Sequence, residues 1–260
     1  MSLNIDLHLH SNHSCDAHAS IAAMCLSAIN KGLQLICFTE HFDLDPKDPG
    51  YNFYNHAQYS KDLAQARETF AGRLTILQGI EFGEPHLYPK EFERMLKHDF
   101  DFVLGSVHWL GDSWVGDPNF QARYSLENIF EIHFAEVLRA VQFGGFDALA
   151  HIDFPKRYLL KTHEPAGLLD EILKELVKQG IALELNSSPV RKGYSDIFPS
   201  DSIIEQYLKQ GGTKVTIGSD AHAPDDIGRD FDKVADKVRN YCLEPVYFRR
   251  RQAVAITPRG

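Results

Sequence analysis

Short apolar runs alternate with amphipathic segments along most of the chain. Residues 4–10 read as a strand in which Leu7 and Leu9 alternate with Asp6, His8 and His10. Residues 21–31 have helical spacing and meet Gly32, a natural helix stop. Residues 34–39, QLICFT, form a buried strand, and a long loop over 40–56 carries Pro46, Pro49 and Gly50. The same reading predicts helices over 57–71, 90–98, 126–143, 165–179, 201–210 and 232–241. Between them it predicts strands over 74–81, 101–108, 147–151, 181–186 and 214–219.

Seven strands in β/α alternation, each apolar enough to be covered on both faces, predict a parallel sheet. A closed or nearly closed barrel with helices outside is the expected form, and an open doubly wound sheet is its rival. The chain shows no internal repeat and no linker, so residues 1–260 are expected to form a single domain. Residues 243–260 are basic and irregular and are expected to be a peripheral tail, with Arg249–Arg251 on the surface.

Composition narrows the function classes. The formal net charge is -9, which argues against nucleic-acid polymers or anionic membranes as partners. An anionic small molecule stays compatible, because bound divalent cations reverse the local potential. No stretch approaches the length needed to span a membrane, and residues 1–10 lack the form of a signal peptide. Cys15, Cys25, Cys37 and Cys242 form no Cys-x-x-Cys pair and read as reduced thiols. The cytoplasm is the expected compartment.

The polar residues fall in register at the strand ends. The first strand ends in His8 and His10, and the second in Glu40 and His41. Glu81, His108 and His151 end the next three, Asp153 follows closely, and the sixth ends in Glu184 and Asn186. The seventh runs into Asp220 and His222. In a (β/α) barrel the C-terminal strand ends converge on one face, where catalysis occurs. Imidazole with carboxylate suits Zn, Mn or Fe, and there are too many ligands for one ion, so two or three divalent metals are expected.

The ordered motifs DLHLHS, TEH, GIE, SVH, AHID and GSDAH, running from Asp6 to His222, resemble those of the PHP (polymerase and histidinol phosphatase) family. GSVHW, AHIDFPKRY and ELNSS resemble its histidinol-phosphate phosphatase branch. The resemblance implies an α/β fold, a distorted (β/α)7 barrel with the metal site at the C-terminal strand ends. It implies a first metal on His8, His10, Glu81 and Asp220, and a second shared through Glu81 with His108 and His151. A third would use His41, His222 and Asp16, where family members carry a His; Asp16 is preferred here to the nearby His13 and His18.

The implied reaction is hydrolysis of a phosphate monoester, L-histidinol phosphate, in histidine biosynthesis, by a metal-bridging hydroxide attacking phosphorus. Asp220 or His222 would protonate the leaving alkoxide. Arg157 and Arg191, or their neighbours Lys156 and Lys192, would bind the phosphate. Asp43, Glu84 and Trp109 are candidates for binding the leaving group, whose amine and imidazole suit a carboxylate and an aromatic wall. Asp153 and Asp6 are candidates for orienting neighbouring histidines. His56, His86, His98, His133 and His163 are expected to be local or solvent-facing. The alternative substrate is a nucleotide or another small phosphate ester. A barrel lysine of the kind amidohydrolases carbamylate is absent from the candidate strand ends.

Overall fold

The computed structural model describes residues 3–159 and 161–256. The chain runs β1 (Ile5–Leu9), α1 (Ile21–Asn30), β2 (Leu35–Phe42), α2 (His56–Thr69), β3 (Thr75–Gly83), α3 (Pro89–Met95) and β4 (Phe102–Ser106). A two-strand hairpin follows, β5 (Trp109–Leu110) and β6 (Ser113–Trp114), then α4 (Pro118–Arg123) and α5 (Leu126–Phe143). The second half holds β7 (Ala148–Leu149), α6 (Ala166–Gln179), β8 (Ala182–Asn186), α7 (Ser188–Arg191), α8 (Asp201–Lys209), β9 (Lys214–Gly218), α9 (Phe231–Asn240), β10 (Glu244–Arg249) and β11 (Gln252–Ala255). Side-chain caps start several helices: Ser20 accepts from the Ala23 N–H, Asn55 from Gln58 and Ser125 from Asn128.

The main sheet has the order β1-β2-β3-β4-β7-β8-β9-β10-β11, and every pair from β1 through to β10 is parallel. Strands β1, β4 and β8 are buried at every residue, as a sheet covered on both faces requires. The first and seventh parallel strands meet beyond their ends. Leu9 and Ala221 form a parallel bridge, and the His10 N–H donates to the Ala221 carbonyl at 2.9 Å. Asp6 ties the same seam. Its Oδ1 accepts from the Ser219 N–H and its Oδ2 from the Gly228 N–H, both at 2.9 Å.

Two segments differ from the sequence reading. The strand expected over 147–151 is only Ala148–Leu149, because His151 adopts φ 21° and the chain turns into a short 3₁₀ helix, Phe154–Arg157. The tail expected to be peripheral is part of the sheet. β10 pairs with the start of β9 through Glu244–Lys214 and Pro245–Val215, and β11 folds back on it antiparallel. Val246 and Phe248 alternate inward, and Phe248 stacks on Phe102 with ring centroids 5.4 Å apart. Arg250 and Arg251 take left-handed φ of 48° and 63° in the turn, where Asn-Gly is the usual signal. Their N–H groups bond Asp101, and the Arg251 guanidinium pairs with Asp147 at 2.9 Å. Arg249 and Arg250 are exposed as expected, and residues 257–260 lie outside the described residues.

Phe248→Ala should therefore destabilise the protein by about 3–5 kcal/mol, read as a lower urea midpoint; an unchanged midpoint would mean that this hairpin does not hold the core.

Candidate metal centre

Alternation along β1 sends His8 and His10 to the same face, and both are buried. They meet Glu81, near the end of β3. Glu81 Oε2 lies 3.1 Å from His41 Nδ1, 3.2 Å from His8 Nε2 and 3.6 Å from His10 Nε2. Its Oε1 lies 3.1 Å from His151 Nε2 and 3.4 Å from His108 Nε2. One carboxylate thus faces two sets of imidazoles, one with each oxygen. Asp220 Oδ1 is 3.6 Å from His10 Nε2 and 3.5 Å from His222 Nδ1. Asp16 Oδ2 is 3.1 Å from His222 Nε2 and 3.6 Å from His41 Nε2.

These distances place every residue expected to bind metal in one cluster. Ligand atoms gather in four groups: His10–His41–His222, His8–His10–Asp220, His8–Glu81–His151 and His41–Asp43–His108. The donor set fits divalent ions. His10 Nε2 and His41 Nδ1 are buried and have no hydrogen-bond partner, although carboxylate oxygens lie within ion-pair distance. Imidazole nitrogens and carboxylate oxygens converging from several strand ends suit a cation.

The field follows the same geometry. Burial opposes charge on His8, yet Glu184, Glu81 and Asp220 together hold its pKa well above the ordinary histidine value. His41 is raised in the same way, against burial, by Glu81 and Asp16. His10 is pushed well down by burial and by the neighbouring His41 and His222. Burial alone would raise Glu81 and Asp220, but the facing histidines, with Arg157 leading for Asp220, hold both carboxyls well below their usual range.

A cavity of about 420 Å³ opens onto the cluster. Asp43, Trp109 and Arg157 line it, beside Lys47, Asp48 and Tyr158. The Arg157 guanidinium lies over the Phe154 ring at 4.8 Å and pairs with Asp220 Oδ2 and the Ser188 hydroxyl. Its Nε has no partner. The segment between β2 and α2 lends Asp43, Lys47, Asp48 and Pro49 to the lining and is tied to the β5–β6 hairpin: Trp109 Nε1 donates to Asp48 Oδ2 at 2.7 Å, and Lys47 Nζ to the Asp112 carbonyl at 2.9 Å.

Other candidates stand behind the site. Arg191 does not line the cavity; it donates to the carbonyls of Ser219 at 2.7 Å and Asp220 at 2.9 Å. That grip steadies Asp220, which sits at φ 53°. Glu84 is likewise absent from the lining, because its Oε1 accepts from the backbone N–H of His108 at 2.5 Å and of Trp109 at 2.9 Å. Burial lifts its pKa to about 7. Asp153 does not reach a histidine ring: it pairs with Lys156, whose Nζ lies 2.9 Å from both Asp153 and Glu164, and Lys192 is exposed. Asp6 braces the seam rather than a ring, His13 faces Asp62 at 3.2 Å, and His18 is exposed.

Among the remaining histidines, His86 bonds Glu136, His133 bonds the Ile152 carbonyl and His56 stacks on His98. Phe154, Tyr158, Trp114, Cys15, Lys47, Asp48 and Pro49 complete the lining, and sequence reasoning assigned them no such place. Phe154 and Tyr158 flank Arg157 in AHIDFPKRY, which is the signal that could have found them.

Residues 6–188 match the model of the PHP domain, and the chain belongs to the PHP domain family. Among curated relatives, the histidinol-phosphatase of Lactococcus lactis subsp. lactis is 31% identical over 228 residues, covering 84% of each chain. The "Probable histidinol-phosphatase" of Clostridium acetobutylicum is 30% identical over 256 residues, covering 95% of this chain and 97% of the relative. A solved structure of the Lactococcus lactis histidinol phosphate phosphatase, complexed with zinc, L-histidinol and phosphate, superposes with a TM-score of 0.83 at 27% identity. That match covers 96% of this chain and 98% of the other.

His133 is buried beside the site, and burial lowers its pKa to about 3. A depressed pKa means its contribution to stability is present above the unfolded value of 6.5 and is lost as pH falls toward about 3. In metal-free protein, His133→Gln should flatten the decline of the urea midpoint across that window; an identical slope would contradict the assignment.

Proposed function

We propose that the protein is a metal-dependent phosphomonoesterase that hydrolyses L-histidinol phosphate to L-histidinol and phosphate, as a step of histidine biosynthesis in the cytoplasm. The observation that carries this reading is Glu81, facing imidazoles with both oxygens, at the floor of a cavity that Arg157 lines. The likeness to a phosphatase holding zinc, L-histidinol and phosphate supports it. Among the described residues no helix is long and apolar enough to cross a membrane. We read the parallel strands β1 to β4 and β7 to β9 as a distorted (β/α)7 barrel, drawn together at the Leu9–Ala221 bridge.

Two or three divalent ions would be held by His8, His10, Asp16, His41, Glu81, His108, His151, Asp220 and His222. Zinc is the first candidate, and Mn and Fe suit the same donors. When bound, such ions supply an activated water and neutralise charge on the phosphate. Arg157, which lines the cavity, would offer its guanidinium to phosphate oxygens. Asp220 and His222 stand beside that position and handle the proton that the leaving alkoxide requires. Trp109, Trp114 and Tyr158 wall the rest of the cavity, and Asp43 and Asp48 add carboxylates suited to an amine and an imidazole.

Zinc- or Mn-loaded protein should release phosphate from L-histidinol phosphate in strong preference to an aryl phosphate or a nucleoside monophosphate. Equal slow release from all three would keep the chemistry and move the substrate to another small ester; no release from metal-loaded protein would refute the phosphatase reading. Asp220→Asn should abolish turnover, and Arg157→Met should lower kcat/KM by about 10- to 100-fold, the worth of a hydrogen bond to a charged group. Normal kcat/KM in Arg157→Met would remove Arg157 from phosphate binding.

A further inference from the structure

Glu184, on β8, belongs to none of the four ligand groups, yet it is buried among them and its hydrogen bonds reach two of the histidines. Its Oε1 lies 2.6 Å from His8 Nδ1. Its Oε2 accepts from the His151 N–H at 2.7 Å and from Asn186 Nδ2 at 3.1 Å. Asn186 is itself oriented, because its Oδ1 accepts from the Ser188 N–H at 2.9 Å. The backbone leaves room for this contact only at a glycine. A Cβ at Gly218 would lie 2.4 Å from Glu184 Oε1 and 2.5 Å from His8 Cβ.

A carboxylate accepts and does not donate, so the short contact puts the proton on His8 Nδ1. A neutral imidazole so protonated carries its lone pair on Nε2, the atom that faces Glu81 Oε2 at 3.2 Å and Asp220 Oδ1 at 3.8 Å. Without Glu184 the opposite tautomer would be favoured, since Nε2–H could donate to Glu81 and would then be closed to a metal. The second oxygen acts on a different residue. His151 sits at φ 21°, a conformation unfavourable for a side-chain-bearing residue, and the bond from its N–H to Glu184 helps to hold it there. That backbone pose sends His151 Nε2 to Glu81 Oε1 at 3.1 Å.

We propose that Glu184 is a positioning residue that couples two metal positions: it sets the tautomer that makes His8 Nε2 a ligand, and it sets the backbone that aims His151. This rests on the metal-centre reading given above. Glu184→Gln separates the two duties. With its oxygen toward His8, the amide nitrogen meets two donors, the His151 N–H and Asn186 Nδ2. With the oxygen turned the other way, the amide nitrogen faces Nδ1 and imposes the Nε2–H tautomer.

Zinc affinity, measured by competition with a chromogenic chelator, should fall by about 10- to 100-fold in E184Q, the usual effect of losing such a partner. Long-range 1H–15N spectra of the histidines in the zinc-loaded wild type should show His8 protonated at Nδ1 and proton-free at Nε2. Glu184→Asp, which keeps the charge but withdraws it by one methylene, gives the same readouts with a smaller loss if E184Q fails to fold. Wild-type protein that takes up no zinc would overturn the metal-centre reading and this proposal with it. Zinc bound as tightly by both variants as by the wild type, or a His8 that keeps its proton on Nε2 in the zinc-loaded wild type, would overturn the proposal alone.

Discussion

Glu81 is a buried carboxylate onto which five imidazoles converge, and the rest of the structure is arranged around that placement. Burying a charge costs several kcal/mol unless opposite charge and hydrogen-bond donors surround it. The sheet supplies that surrounding by register. β2 and β3 pair without interruption over eight positions, setting His41 opposite Glu81, and β4 sets Leu104 on its other side. A slip of one residue in either pairing would send Glu81 to the opposite face and empty the site.

The polar residues immediately behind the ligands bond mostly to backbone and hydroxyl groups. Asp6 holds Ser219 and Gly228, Arg191 holds the carbonyls around Asp220, and Glu84 holds the N–H groups of His108 and Trp109. Glu40 accepts from the Ser11 and Ser14 hydroxyls at 2.6 Å, and Ser14 in turn meets His10 Nδ1 at 3.2 Å. Each fixes a turn that carries a candidate ligand, and left-handed φ at Asp220 and Glu84 shows where such support is most needed.

The strand ends were legible because side-chain alternation is a local property: D-L-H-L-H reads the same in the sequence as in β1. Arg157 and Arg191 could not be told apart, since each follows a strand; only the folded chain shows one at the cavity and the other on backbone carbonyls. Asp16 and His13 were both offered by the family resemblance; the folded chain sets Asp16 against His222 and turns His13 toward Asp62. The closing hairpin was hidden because its turn uses Arg-Arg, so charge masked the strand alternation of EPVYFR. Glu184 was visible as a strand end, but its two partners lie 176 and 33 residues away in sequence.

The seam between β1 and the segment after β9 sets the order of events at birth. Asp6 bonds the N–H groups of residues 213 and 222 positions later in the chain, so this edge of β1 is completed only by a distant segment, whereas its other edge pairs with the nearby β2. Contacts of such separation form late, after shorter loops have closed. On the ribosome, His8 and His10 would emerge long before Asp220 and His222. Until both segments are out, the chain presents scattered histidines rather than the assembled cluster.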